Sequence, residues 1–187
     1  MKGSKLVGGT IAIFSVLLLT ASSASAQVGQ RISGFDVALN GHTFVADDAP
    51  VDANGFPAYG NPFIIEGYIY PEGFLEEHEG INPDGSPSHP DAVIGHFTCR
   101  GWFIGDGMAT ASGPNVMTLQ TYEFGENGEE TFNSDGIELV DVGVPFERSI
   151  TGGTGIYRRA AGTMTQTGLG LNVSGAPSVS FSANYAQ

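Results

Sequence analysis

Apolar and polar residues alternate with a period of two through most of the chain. Near the C-terminus Val179, Phe181, Ala183 and Tyr185 interleave with Ser180, Ser182 and Asn184, the pattern of a strand with one dry and one wet face. The same period runs less regularly through residues 35–39, 63–70, 93–104, 116–124, 131–140 and 157–167. Gly and Pro clusters separate these runs, and no helical stripe lasts three turns after residue 26. The pattern predicts an all-β domain of about eight strands, and closing such a sheet into a barrel removes the exposed edges that invite aggregation. Asn127-Gly128 marks a hairpin tip. Residues 46–60 and 71–90 are rich in Asp, Glu, Gly and Pro and read as loops at a barrel rim.

The first 26 residues do not fit this pattern. Lys2 and Lys5 precede the apolar run 6–20, and Ala24-Ser25-Ala26 follows it, which is the layout of a cleaved export signal. The run is short for a span of about 30 Å of hydrocarbon, and no basic stop-transfer cluster comes after it. The expected organisation is therefore a signal peptide over 1–26 and a single domain over 27–187, exported to the periplasm or beyond the cell. Cleavage takes both lysines away and leaves five arginines against twenty acidic residues, a formal charge of −15. So acidic a surface disfavours nucleic acid and anionic membranes as partners. Twelve Phe, six Tyr and Trp102 supply bulk for one core, and Cys99, the sole cysteine, leaves no internal disulfide.

One segment is more specific than the rest. In Ile150-Thr-Gly-Gly-Thr-Gly-Ile-Tyr157, three glycines join two apolar runs, which supplies the backbone freedom of a tight connection. A phosphate-cradling loop would open an amphipathic helix and carry a lysine, whereas residues 157–166 are rich in Gly and Thr. With Ala160-Ala161-Gly162 after it, the segment resembles the signature of the allene oxide cyclase and dirigent superfamily. The resemblance extends to Gly95–Gly101, to Thr121–Gly128 and to Asp135-Gly136, so that it covers most of residues 92–167; before residue 90 it rests on Phe35-Asp36, which matches an acidic residue on the first strand.

That resemblance implies an eight-stranded antiparallel β-barrel with an apolar cavity, commonly a homotrimer, acting on an apolar small molecule without a cofactor. In one branch the cavity directs ring closure of a fatty-acid epoxide; in the other it directs coupling of phenolic radicals. The chain departs from the dirigent branch, which usually has Ala-Arg-Gly after the turn and often an Asp just after its glycines, where this chain has Ala160-Ala161-Gly162 and Ile156. Arg158 and Arg159 lie nearby as rim charges, and the wording of the turn leans toward the cyclase branch.

Candidate chemistry follows from type and facing. Glu66, Tyr68 and Tyr70 share one face of their strand, and a buried carboxylate beside a phenol suits general acid or base work; one strand alone leaves open whether that face is inside. Asp36 joins them by the resemblance as a first-strand acid. Tyr122 and Cys99 are expected to line the ligand cavity with Tyr70, the alternative for the first two being ordinary packing. Glu76-Glu77-His78-Glu79 reads as a solvated acidic loop and no metal site is expected. No nucleophilic triad, zinc motif or dinucleotide fingerprint is present. Two functions remain: a cofactor-free cyclase or isomerase working mainly by confinement, and a non-catalytic exported barrel that binds an apolar ligand.

Overall fold

A computed structural model describes residues 32–125 and 127–186; the export signal read in residues 1–26 lies outside them. Among the described residues the regular elements are nearly all strands: β1 (Gly34–Leu39), β2 (Val45–Ala46), β3 (Pro62–Pro71), β4 (Gly95–Phe103), β5 (Pro114–Phe124), β6 (Glu130–Leu139), β7 (Phe146–Gly153), β8 (Ala161–Leu171) and β9 (Pro177–Ala186), with one α-helical turn α1 (Phe74–Glu77) and four short 3-10 turns. Every pairing between neighbouring strands is antiparallel. β1 bonds to both β9 and β3, which closes an eight-stranded barrel, and the short β2 adds to β3 outside the ring. Closure leaves the eight strands without an edge.

Alternation decides what fills the barrel. Phe35, Val37 and Leu39 of β1, Ile65 and Ile69 of β3, Phe97 and Cys99 of β4, Tyr122 and Phe124 of β5 and Phe181 of β9 all point inward and are buried. One half of the interior is aromatic. Tyr122 stands at its centre, with ring centroids 5.1 Å from Phe35, 5.3 Å from Phe97, 5.4 Å from Phe132 and 5.3 Å from Phe181. Such edge and tilted contacts add to the area each ring buries.

The glycine turn after β7 does more than reverse the chain. β8 begins at Ala161, later than the apolar run at Tyr157 suggests, because residues 155–157 form a 3-10 turn that carries Tyr157 into the aromatic end of the barrel, where it is buried. Gly153 allows this approach: a Cβ there would stand 2.9 Å from the Cβ of Tyr157 and closer still to the Thr131 carbonyl oxygen. The Tyr157 hydroxyl accepts a hydrogen bond from the Ile32 backbone N–H at 3.1 Å, which ties the chain entering β1 to the plug.

The two long loops are more ordered than their composition predicts. Residues 72–90 fold over the outer face of β1 and β3, and Gly80, Ile81 and Gly85 are buried there, so this segment packs on the barrel wall and is more than a loop at the rim. Three seven-residue turns share one sequence pattern, an apolar residue, Asp or Asn, any residue, a polar residue, Gly, any residue, Pro: 51–57, 81–87 and 171–177. In each, the N–H of the second residue donates to the carbonyl of the sixth at 2.8, 2.8 and 2.9 Å, and the glycine N–H returns to the second carbonyl at 3.1, 3.0 and 3.0 Å. The glycine φ values of 85°, 85° and 80° require the residue without a Cβ. Two of these turns grip the bend after β1 from either side: Asn40 Nδ2 donates to the Gly85 carbonyl at 2.9 Å, and Asn172 Nδ2 donates to the Leu39 carbonyl at 2.8 Å. The third receives the Met108 N–H on Pro57 at 2.9 Å. Much of the rim at this end is thus held by one repeated turn.

Candidate functional site

The half of the interior opposite the aromatic plug is polar, for a reason visible strand by strand. On β5 the inward series reads Val116, Thr118, Gln120, Tyr122 and Phe124; on β6 it reads Phe132, Ser134 and Glu138 around Gly136; on β7 Arg148 precedes Ile150; on β8 Gln166 follows Met164. The register sets Cys99 opposite Gln120 and Gln120 opposite Ser134, and two inward rows further out it sets Phe103 opposite Val116 and Val116 opposite Glu138. Polar side chains from four neighbouring strands therefore meet inside the ring.

Glu138 is their hub. Its Oε1 accepts hydrogen bonds from the Thr118 hydroxyl and from Gln120 Nε2 at 3.0 Å, and its Oε2 accepts one from Gln166 Nε2 at 2.8 Å. Cys99 Sγ lies 3.7 Å from the same Oε1. Arg148 Nη1 stands 3.5 Å from it in a salt bridge between a fully buried arginine and a glutamate side chain with 17% of its surface exposed. Arg148 is pinned from behind, its Nε donating to Ser134 Oγ at 3.1 Å and its Nη2 to the Thr118 carbonyl at 3.0 Å. The Tyr122 hydroxyl donates to Gln120 Oε1 and lies 3.2 Å from Ser134 Oγ, which joins the network to the aromatic half. Nη1 itself makes no hydrogen bond. One charged group, Glu138, thus reaches solvent, while its counter-ion and the donors that fix it do not.

Two strands away along the row of Glu138, on the β4 side of this mouth of the barrel, the inward residues are aromatic. Phe63 and Phe103 approach to 5.0 Å between ring centroids, with Phe44 6.0 Å from Phe63.

Burial pushes the Tyr122 phenol well up, the dominant cause being desolvation, and it pushes the Cys99 thiol up for the same reason with the Glu138 charge adding to it. Both groups are therefore neutral donors, and Cys99 is no thiolate nucleophile. Tyr70, buried outside the barrel, is pushed up to about 12 by desolvation. A raised phenol pKa means that folding holds a proton which the unfolded chain, with an ordinary value of 10.0, gives up. The stability this represents is complete below pH 10 and is lost as the pH rises from there toward 12 and beyond. Titration followed by tyrosinate absorbance and circular dichroism should show Tyr70 and Tyr122 ionising together with loss of the fold, not before it; ionisation of all six tyrosines with the fold intact would contradict this burial.

The residues expected to act from the sequence separate into two groups. Tyr122 and Cys99 lie inside the barrel, within the network just described. Glu66, Tyr68, Tyr70 and Asp36 do not: their side chains project from the outer faces of β3 and β1, because Ile65, Ile69, Phe35 and Val37 take the inward positions. A cavity role for these four is corrected on that ground. Glu66 is exposed and, with Tyr68, His96 and Glu123, lines an open groove of about 350 Å³ on the outer surface. Asp36 and Tyr70 are covered by residues 72–90: Asp36 Oδ2 accepts the Leu75 N–H at 2.9 Å, and the Tyr70 hydroxyl donates to the Gly80 carbonyl. Arg158 and Arg159 are exposed; among the described residues the arginine inside the barrel is Arg148. Glu138, Arg148, Thr118, Gln120, Ser134 and Gln166 were not singled out from the sequence, though each is a polar residue in phase with the apolar side of its strand. Among the described residues no group of three His, Cys, Asp or Glu side chains is arranged to hold a metal ion.

No protein-family model matches the sequence, and no curated protein is significantly similar to it in sequence. Solved structures do match. A pterocarpan synthase dirigent protein superposes with a TM-score of 0.53 at 16% identity, over 79% of this chain and 81% of that one. A pyocyanin demethylase superposes with a TM-score of 0.51 at 14% identity, over 82% of this chain and 98% of that one. The chain has the fold of the dirigent and allene oxide cyclase-like barrels. In this dirigent-like barrel the interior that such a fold encloses is occupied by the Glu138–Arg148 network at one end and by the Tyr122 aromatic cluster at the other.

Proposed function

We propose that this dirigent-like barrel binds a largely apolar small molecule at the mouth beside Glu138 and directs its cyclisation or isomerisation without a cofactor. The observation that carries this reading is the carboxylate itself: it keeps 17% of its side-chain surface in solvent, while Thr118, Gln120, Gln166 and Arg148 hold it in one orientation. A charged group in a barrel interior is costly unless it is paired and hydrogen-bonded, and packing alone would be served by an apolar residue. Phe63 and Phe103 would take the ligand's apolar body, and Glu138 would accept a proton or hydrogen bond from its polar end. A pre-oriented base of this kind contributes about 10²–10⁴ in rate, and confinement of one conformer adds to it. The fold neighbours, a pyocyanin demethylase and a pterocarpan synthase, are consistent with small-molecule chemistry in such a barrel. The leader-like residues 1–26 support export of the protein.

A non-catalytic ligand-binding role is the second reading, and it is favoured by the number of donors already engaged on Glu138. The two separate in one experiment. Small molecules extracted from the protein purified from its native source are identified by mass spectrometry, and the compound class is then incubated with wild type, Glu138→Gln and Glu66→Gln. The proposed reading expects a cyclised or isomerised product, formed about 100-fold or more slowly by Glu138→Gln and at the wild-type rate by Glu66→Gln. Recovery of the ligand unchanged in every sample would favour the binding role.

A further inference from the structure

The groove on the outer face of β3, β4 and β5 is a second concavity, apart from the barrel interior. Two outward rows form its floor. Tyr68 stands opposite His96 and His96 opposite Glu123, and in the next row Glu66 stands opposite Thr98. The bend after β1 walls one side, where Asn40 and Thr43 line the space of about 350 Å³. That wall is fixed from within. The Thr43 hydroxyl donates to the Asn40 carbonyl at 2.8 Å and accepts the Glu66 N–H at 2.9 Å, while the Asn40 amide donates to the Gly85 carbonyl and accepts the His42 N–H. The Tyr68 hydroxyl is engaged as well, on the Gly85 carbonyl at 3.2 Å, so Tyr68 offers the groove its ring, with the His96 ring 5.9 Å away.

Four side chains on the floor are left for a ligand. Among the described residues, the side chains of Glu66, Thr98, His96 and Glu123 make no hydrogen bond or ion pair within the protein. What they offer selects the ligand. The two carboxylates accept, the Thr98 hydroxyl donates and accepts, and a neutral imidazole does one at each ring nitrogen. An apolar molecule would leave all four without partners. A phosphate or carboxylate only accepts and would lie against two negative charges, and an ammonium group only donates. Hydroxyl groups do both, and a ring that carries several of them also has C–H faces to lay on Tyr68. We propose that this groove binds a short neutral saccharide, its hydroxyls on Glu66, Thr98, His96 and Glu123 and a sugar ring against Tyr68. Hydroxyls that donate to carboxylates form charge-assisted hydrogen bonds, roughly twice as strong as neutral ones. The groove stays open to water, so the dissociation constant is expected on the order of 0.1–1 mM.

An array of neutral mono- to tetrasaccharides, probed with labelled wild-type protein, followed by calorimetric titration of the strongest hit, tests this. The hit is expected to bind with the same dissociation constant when sodium chloride is raised about tenfold, because a neutral ligand has no charge to screen. Glu66→Ala and Glu123→Ala should each weaken it about tenfold or more. Glu147→Ala, at an exposed acid on β7 outside the groove, should leave it unchanged. Glu66 and Glu123 support no other side chain, so the circular dichroism of each variant should match the wild type and separate loss of binding from loss of fold. An array without a hit, a hit that both groove variants bind as well as the wild type, or binding of the amine spermidine alone, weakened by salt, overturns the proposal.

Discussion

Replacing Arg148 with methionine should destabilise the barrel by about 3–5 kcal/mol, the range for removing one partner of a buried ion pair. The figure belongs at the lower end, because Glu138 keeps 17% of its side-chain surface in water and can be partly solvated. Methionine fills much of the arginine stem but supplies none of its donors, so Ser134 Oγ and the Thr118 carbonyl, which accept from Nε and Nη2, lose them as well. The Glu138→Gln change by itself should also destabilise, since it leaves the fully buried guanidinium without a counter-charge. The double variant should recover part of the loss, because an amide at 138 needs no cation beside it. Urea unfolding of the four proteins measures the coupling between the two sites, expected within about 0.5–3 kcal/mol. Strictly additive and small effects would show that the pair is solvated in solution and that the network does not order Glu138.

Phe35→Ala should cost about 3–5 kcal/mol, as for other buried phenylalanines cut back to alanine. Phe35 is 1% exposed, and its ring packs on Tyr122, on Phe124 at 5.8 Å and on Phe181 at 5.2 Å. These neighbours belong to β5 and β9, on different sides of the ring, so the lost side chain leaves a hole that no single strand can close. Tyr122 would lose one of its four aromatic supports while its hydroxyl stays tied to Gln120. The same denaturation series therefore reads a second effect: the Glu138 network should loosen along with the aromatic half. The neighbouring Ser33→Ala, at an exposed position, provides a control expected to change stability by less than about 0.5 kcal/mol. A loss below about 1 kcal/mol for Phe35→Ala would mean that the aromatic half is not packed as described.

The fold was legible because its two strongest signals are local. Alternation in 179–185 places Phe181 and Val179 inside and Ser180 and Ser182 outside, and the glycine turn at 152–155 announces the β7–β8 connection. What the turn does with Tyr157 was not legible, because a short run of apolar residues after a turn reads equally as a strand start or as a plug. The repeated turns at 51–57, 81–87 and 171–177 were readable in principle, since Gly and Pro recur at the same offsets, but their role depends on what they touch across the rim.

The site was harder to read, for a physical reason. Facing along one strand has only two answers, and on β3 both faces carry bulky side chains: Ile65 and Ile69 on one, Tyr68 and Tyr70 on the other. The outer set is partly buried by residues 72–90, a covering that no local pattern encodes, so Glu66 and Tyr68 looked as suitable for the interior as the residues that occupy it. Glu138 and Arg148 carried the opposite signal. Each stands in phase with an apolar residue, Phe132 for one and Ile150 for the other, and so belongs inside. A charge on the dry side of a strand departs from the alternation, and such departures are where sequence-level rules are expected to give way to function.

The most direct test of the account measures how much small molecule each of three proteins carries when purified side by side from the native source: wild type, Glu138→Gln and Glu66→Gln. Mass spectrometry of the extracts, scaled to protein, should find an enriched, largely apolar compound in the wild type and in Glu66→Gln, and little of it in Glu138→Gln. Retention by Glu138→Gln together with loss from Glu66→Gln would contradict the account, placing the ligand in the outer groove and leaving the interior network as a structural core.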